Sequence, residues 1–192
     1  IDLSVLLPDA GESGLLVQRA GTTLAVPAFD LNIPRNAVQG ATPAQLQALD
    51  LTAVAALLPG SLTALTGGAL DMYGASLALA GTMTAPLPAG VTASQQLLLV
   101  RLQELGGETR LELIAPATIQ NNRLRATGIL REGRYLFVRT ATPLGYVTGA
   151  VGNPQGALMQ GVLVTSSSSP LVSLTGADGR YIVAGPSGAA EI

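Results

Sequence analysis

Leu97-Leu98-Leu99-Val100-Arg101-Leu102-Gln103-Glu104-Leu105-Gly106-Gly107-Glu108-Thr109-Arg110-Leu111-Glu112-Leu113-Ile114-Ala115 is the stretch that decides the fold. Leu97 to Leu102 is a continuous apolar run with one arginine. Gly106-Gly107 is a hairpin turn signal, since both central residues of the favoured two-residue turn need positive φ. Leu111, Leu113 and Ala115 then alternate with Arg110, Glu112 and Ile114. The two runs predict a β-hairpin.

Working outward, the same grammar recurs. Leu15 to Arg19 precedes the turn signal Ala20-Gly21-Thr22, and Thr23 to Val26 ends at Pro27. Phe29, Leu31 and Ile33 alternate with Asp30 and Asn32, the period-2 pattern of a half-buried strand. Asn121-Asn122 marks another turn. In Arg134 to Arg139, Tyr135, Phe137 and Arg139 fall on one face and Leu136 and Val138 on the other. Turns at roughly eight- to twelve-residue intervals predict an all-β sandwich rather than an α/β fold. Thr42 to Leu58 is ambiguous. Its Ala, Leu and Gln content, with Thr42-Pro43 before it and Pro59-Gly60 after it, suits a short helix near 43–57. Yet Leu49, Leu51 and Ala53 alternate with Asp50 and Thr52, as in a strand.

Composition excludes much chemistry. The chain has 192 residues, of which 48% are hydrophobic and 11% charged. An average domain is about a quarter charged. Cys, His, Trp and Lys are all absent. Without His or Cys, ordinary zinc, copper and haem sites and the Ser-His-Asp triad are excluded. Without Lys, Schiff-base chemistry and the P-loop lysine are excluded. Net charge is −2, so no basic field attracts nucleic acid. Charge is missing from Leu51 to Leu70, Met72 to Val100 and Thr140 to Ala177. Pro or Gly interrupts each run, so none supplies the roughly 20 apolar residues of a spanning helix. The start at Ile1 and the lack of a signal peptide read as a processed product or an excerpt of a longer chain. Charge nearly vanishes after Thr142-Pro143, which places a domain boundary between 1–142 and 143–192.

The later segment carries spaced elements. Gly145 to Val151 precedes the polar turn Asn153-Pro154-Gln155-Gly156. Met159 to Val164 and Pro170 to Leu174 follow. Thr175-Gly176-Ala177-Asp178-Gly179-Arg180-Tyr181-Ile182-Val183 and Gly185-Pro186-Ser187-Gly188 complete the series. This series resembles the start of a carboxypeptidase regulatory-like domain, a prealbumin-type β-sandwich. The resemblance implies further strands after Gly188, supplied by a longer chain or by a strand from a partner. Residues 12–140 loosely resemble ZU5-like modules of bacterial surface proteins. The pieces are Gly21 to Pro27, Gly74 to Leu77, Ala85 to Gly90 and Gly133 to Phe137. Some ZU5-containing proteins cleave themselves at a His-Phe-Ser site, and this chain has no His to support that activity. The expected fold is therefore two Ig-like or prealbumin-like sandwiches, the second incomplete.

Candidate sites are few. Asp178 could ligate Ca²⁺ but reads as a hairpin Asx residue, since no second carboxylate is near in sequence. Asp30 and Asn32 share a strand face that could hold a cation or simply meet solvent. Asp50 and Asp71 are a conceivable glycosidase pair whose separation a sequence cannot show. Ser166 to Ser169 reads as a loop. Arg123, Arg125, Arg131, Arg134 and Arg139 lie close in sequence to Glu104, Glu108, Glu112 and Glu132, which predicts cross-strand ion pairs in preference to an anion site. Tyr135, Phe137 and Tyr146 are the candidate binding residues, with Tyr73 as a further cleft tyrosine. Tyr135 and Phe137 equally suit core or interdomain packing. No catalytic, metal or cofactor-binding residue is expected. The expectation is a non-catalytic structural module of a secreted or cell-surface bacterial protein. It would act in assembly or adhesion, through copies of itself or neighbouring domains, with carbohydrate or peptide binding as the alternative.

Overall fold

The structure, a computed structural model, describes residues 13–186. It is all-β apart from one short helix. The predicted hairpin forms as β7 (Leu97–Leu105) and β8 (Glu108–Gln120), with Leu105 opposite Glu108. Gly106 and Gly107 take φ of 62° and 80° between them, the sign their tight turn requires.

The other strands are β1 (Ser13–Val17), β2 (Thr22–Val26), β3 (Phe29–Ile33), β4 (Thr42–Ala48), β5 (Leu62–Asp71), β6 (Ser76–Pro86), β9 (Arg123–Arg131) and β10 (Gly133–Thr140). They form one antiparallel path, β1-β4-β5-β10-β7-β8-β9-β6-β3-β2. The long strand β8 serves both layers of this path. Its residues 108–117 pair with β7, and its last three, Thr118 to Gln120, pair with β9 across the Asn121-Asn122 turn. The path thus folds over itself into a nearly closed sheet. Its interior holds Leu24, Phe29, Leu31, Met83, Leu97, Leu99, Leu124, Tyr135 and Phe137. Phe29 reaches the opposite layer at Gly68, where an added Cβ would lie 1.5 Å from the ring. Only a glycine permits that approach.

A second core lies on the outer face of β7 and β10. Leu98, Val100, Leu102, Leu136 and Val138 pack there with Val54, Leu171 and Ala184. Side chains of a strand alternate between faces, so the apolar run from Leu97 to Leu102 is a strand covered on both sides. The C-terminal strands are β11 (Leu144–Ala150), β12 (Leu163–Thr165), β13 (Leu171–Leu174) and β14 (Arg180–Pro186), and the covers are the helix α1 (Leu51–Ala55) with β11, β13 and β14. β11 pairs with β14, and β12 with β13. β13 also runs parallel to β8, with Leu171 opposite Leu111 and Val172 opposite Glu112. Strands on either side of the expected 142/143 boundary therefore share a sheet and a core. Of the Gly185-Pro186-Ser187-Gly188 turn, Gly185 and Pro186 belong to β14, and the rest lies outside the described residues.

The ambiguous segment 42–58 holds both structures, β4 followed by α1. The N-cap is Asp50 and not Thr42-Pro43. Asp50 Oδ1 accepts from the N–H groups of Thr52 at 2.8 Å and Ala53 at 3.3 Å, which satisfies donors that the first turn leaves open.

The expected arginine–glutamate pairing needs correction. Arg123 bonds Asp30, Arg110 bonds Glu108, and Glu112 pairs with Arg101 at 2.7 Å. No ion pair among the described residues joins the 123–139 arginines to the four glutamates. The physical reason is register: β9 lies between β6 and the uncharged end of β8, Thr118 to Gln120, rather than against the charged part of β8.

Candidate functional site

The proposed aromatic residues go to three different places. Phe137 is wholly buried in the interior core. Tyr135 is also buried, and its hydroxyl donates to the Arg131 carbonyl at 2.6 Å. Burial pushes its phenol up to about 12, outweighing the nearby Arg101 charge. Tyr146 is 38% exposed on β11. Burial of part of its ring raises its phenol, opposed by a hydrogen bond from Gln96 Nε2 at 2.8 Å. Tyr73 is exposed on the turn after β5.

A cleft of about 720 Å³ lies between β8, β9 and the C-terminal layer. Tyr135 lines it; Phe137, Tyr146 and Tyr73 do not. Its floor holds the buried Arg101–Glu112 pair. Arg101 Nε donates to Glu112 Oε2 at 2.8 Å, and Arg101 Nη2 to Gln103 Oε1 at 3.0 Å. Gln103 Nε2 returns a bond to the same Glu112 oxygen at 3.0 Å, and Arg101 Nη1 donates to the Glu132 carbonyl at 3.3 Å. These groups satisfy one another, as buried charge requires. The floor is a network that ties the adjacent strands β7 and β8 to Glu132, between β9 and β10.

A smaller cleft of about 330 Å³ is different. Its position follows from register. Gln47 on β4 is opposite Ala69 on β5, and Ala69 is opposite Arg134 on β10. The short alanine leaves a notch between two long polar side chains. Gln45 lies opposite Asp71 and extends the row, and Glu132 closes the end. Glu132 Oε2 accepts from the N–H of Met72 at 3.1 Å and of Gly74 at 3.0 Å. Those bonds, that of Gly74 first, hold its carboxyl below the usual range. Asp71 Oδ1 accepts from the Tyr73 N–H at 2.7 Å. Arg134 Nε is buried beside these acids and has no hydrogen-bond partner among the described residues.

The anticipated Asp50–Asp71 pair is not brought together here, since Asp50 caps α1 and is not part of this cleft. Asp71 and Glu132 converge instead. The remaining polar candidates serve the fold locally. Asn32 Nδ2 donates to Thr23 Oγ1 at 3.1 Å. Asp178 Oδ1 accepts from the Arg180 N–H at 3.1 Å. Ser166 to Ser169 turns the chain between β12 and β13, with Ser169 Oγ accepting from the Leu171 N–H at 3.2 Å. No group of three or more acidic side chains suited to a metal occurs among the described residues. No helix there is long and apolar enough to cross a membrane.

The edge of β11 is the third feature. The Leu144 N–H donates to Gln96 Oε1 at 2.6 Å, and Gln96 Nε2 donates to the Leu144 carbonyl at 2.9 Å. A side-chain amide thus pairs with Leu144 as a neighbouring strand would. Leu144 turns its backbone away from β14, so antiparallel alternation turns Tyr146 and Thr148 outward too. Ile182, opposite Thr148, agrees: its N–H leaves the pair for Ser173 Oγ at 3.3 Å. No strand covers this edge among the described residues. Tyr146 and Val147 are exposed on it, and Leu158 and Met159 are exposed beside its end, where the Met159 N–H donates to the Val151 carbonyl.

Sequence reasoning passed over Gln45, Gln47 and Gln96 as site residues and read Arg134 as one of a cluster of ion-pairing arginines. Gln45 and Gln47 carried a signal, polar residues two apart on a strand, but their partners across β5 and β10 depend on register. No family model matches the chain, and no curated protein matches it significantly.

Proposed function

We propose that the chain is a non-catalytic module of a secreted or cell-surface bacterial protein, acting in assembly or adhesion by pairing strand edges between copies. The observation that carries this reading is the edge of β11. Natural edges are usually guarded by charge, proline or a bulge. Leu144 to Ala150 has no charge and no proline, and it is flanked by exposed Val147, Leu158 and Met159. Two copies would add β11 to β11 antiparallel about Val147, with Tyr146 opposite Thr148 of the second copy. The result is a continuous four-stranded sheet, β14-β11-β11-β14. The resemblance to prealbumin-type domains belongs to the same proposal. In it, β11 and β14 form one sheet of the C-terminal sandwich, and β12 and β13, continued by β8, form the other.

Light scattering over a concentration series tests this. The wild type is expected to form dimers or larger species as concentration rises. Val147→Lys places two like charges face to face at the twofold axis and is expected to weaken association about tenfold or more, with an unchanged melting temperature. A wild type that stays monomeric at every concentration, or a lysine variant that associates equally well, refutes the reading.

A further inference from the structure

We infer that the notch formed by Gln45, Gln47, Asp71, Glu132 and Arg134 is a binding site for a neutral, hydroxyl-rich small molecule of the monosaccharide class. The unsatisfied Arg134 Nε is the starting point. A buried donor without an acceptor is costly, and native proteins leave few of them. Arg134 lines the notch together with two carboxylates, yet it bonds to neither. The buried Arg101, one strand away, shows the contrast, with every bond made inside the protein. The charged pair on the floor of the larger cleft, Arg101 and Glu112, is spent on itself. The polar groups of the notch still have capacity.

The donor and acceptor pattern selects the ligand. Arg134 offers a fixed donor, Asp71 and Glu132 offer acceptors, and Gln45 and Gln47 offer both. Asp71 and Glu132 against Arg134 leave the notch with one negative charge in excess, which disfavours an anion. Adjacent hydroxyls answer the whole set, since each one accepts and donates. One hydroxyl oxygen can accept from the outer guanidinium nitrogens of Arg134, which flank the buried Nε, while its neighbour donates to a carboxylate. The volume of about 330 Å³ is at the lower end of small-molecule sites, which suits a single ring.

This inference does not depend on the assembly reading, because Val147 and the β11 edge contribute nothing to the notch. Heteronuclear NMR titration with glucose, galactose and mannose tests it, with glycine as a zwitterionic comparator. At least one sugar is expected to bind saturably in the millimolar range, shifting the amides of Gln47, Ala69 and Arg134. Arg134→Met keeps the stem and removes the donors, and is expected to weaken that binding about tenfold. Val147→Lys is expected to leave it intact. Gln47→Ala, at a half-buried position outside both cores, gives a second variant should Arg134→Met fold poorly, and is expected to weaken binding severalfold. Absence of saturable sugar binding overturns the inference. So does binding that both notch variants leave unchanged, and so does binding of glycine alone.

Discussion

Tyr135 shows what one residue reveals and hides. The alternation from Arg134 to Arg139 puts Tyr135 and Phe137 on one face, and both enter the interior core. That face was legible because period 2 is a local property. The role of Arg134, one residue earlier, was not legible. It depends on Ala69 and Gln47, which reach it only through the pairing of three strands distant in sequence. Tyr135 also has a measurable signature. Its folded phenol sits at about 12, above the ordinary value of 10. Neutral phenol is favoured in the fold, so this contribution is complete below pH 10 and is lost as pH rises towards 12. Tyr135→Phe removes the bond to the Arg131 carbonyl and is expected to cost about 1 kcal/mol at pH 7. Urea unfolding should show the wild-type advantage shrinking between pH 10 and about 12. A constant difference across that window would contradict this assignment.

At the scale of elements, the turns were the most legible feature. Gly106-Gly107 and Asn121-Asn122 both occupy positive φ, with φ of 50° and 59° at the two asparagines. These residue types tolerate that region, so the sequence marks the turns directly. The segment 42–58 was harder, because a strand and a five-residue helix fit into text with two periodicities. Asp50 divides them. Its side chain caps α1 from the first residue after β4 and Leu49. Asp50→Ala is expected to destabilise the protein by about 1 kcal/mol. Hydrogen exchange localises the effect: the Val54 amide, which bonds the Asp50 carbonyl at 3.0 Å, should exchange faster, while Leu99 should not. Equal protection of Val54 in both proteins would mean that packing of Val54 and Leu51 under the sheet holds α1 without its cap.

For the whole molecule, the continuous apolar runs Leu97 to Val100 and Tyr135 to Val138 have a single structural cause. β7 and β10 are buried on both faces, so neither strand can alternate with charge along its length. A sequence displays the apolar run, but it cannot say what covers the second face. The cover comes from α1 and from strands beyond residue 142, of which β13 is hydrogen-bonded to β8. The composition shift near Thr142-Pro143 is therefore also a junction between a sheet and its cover. Cutting there tests how far the two segments depend on each other. A fragment of residues 1–142 loses Leu171, Ala184, Leu144 and Ile182 from the outer core. Leu98, Val100, Leu136 and Val138 would meet water wherever α1 does not reach. Exposing one such side chain fully costs about 1.5–3 kcal/mol, and a domain has only about 5–15 kcal/mol of stability in all. The fragment is expected to bind an apolar dye, to melt well below the full chain and to aggregate. A soluble fragment with an unchanged melting temperature would establish 1–142 as an independent domain and give the C-terminal strands a role other than covering the sheet.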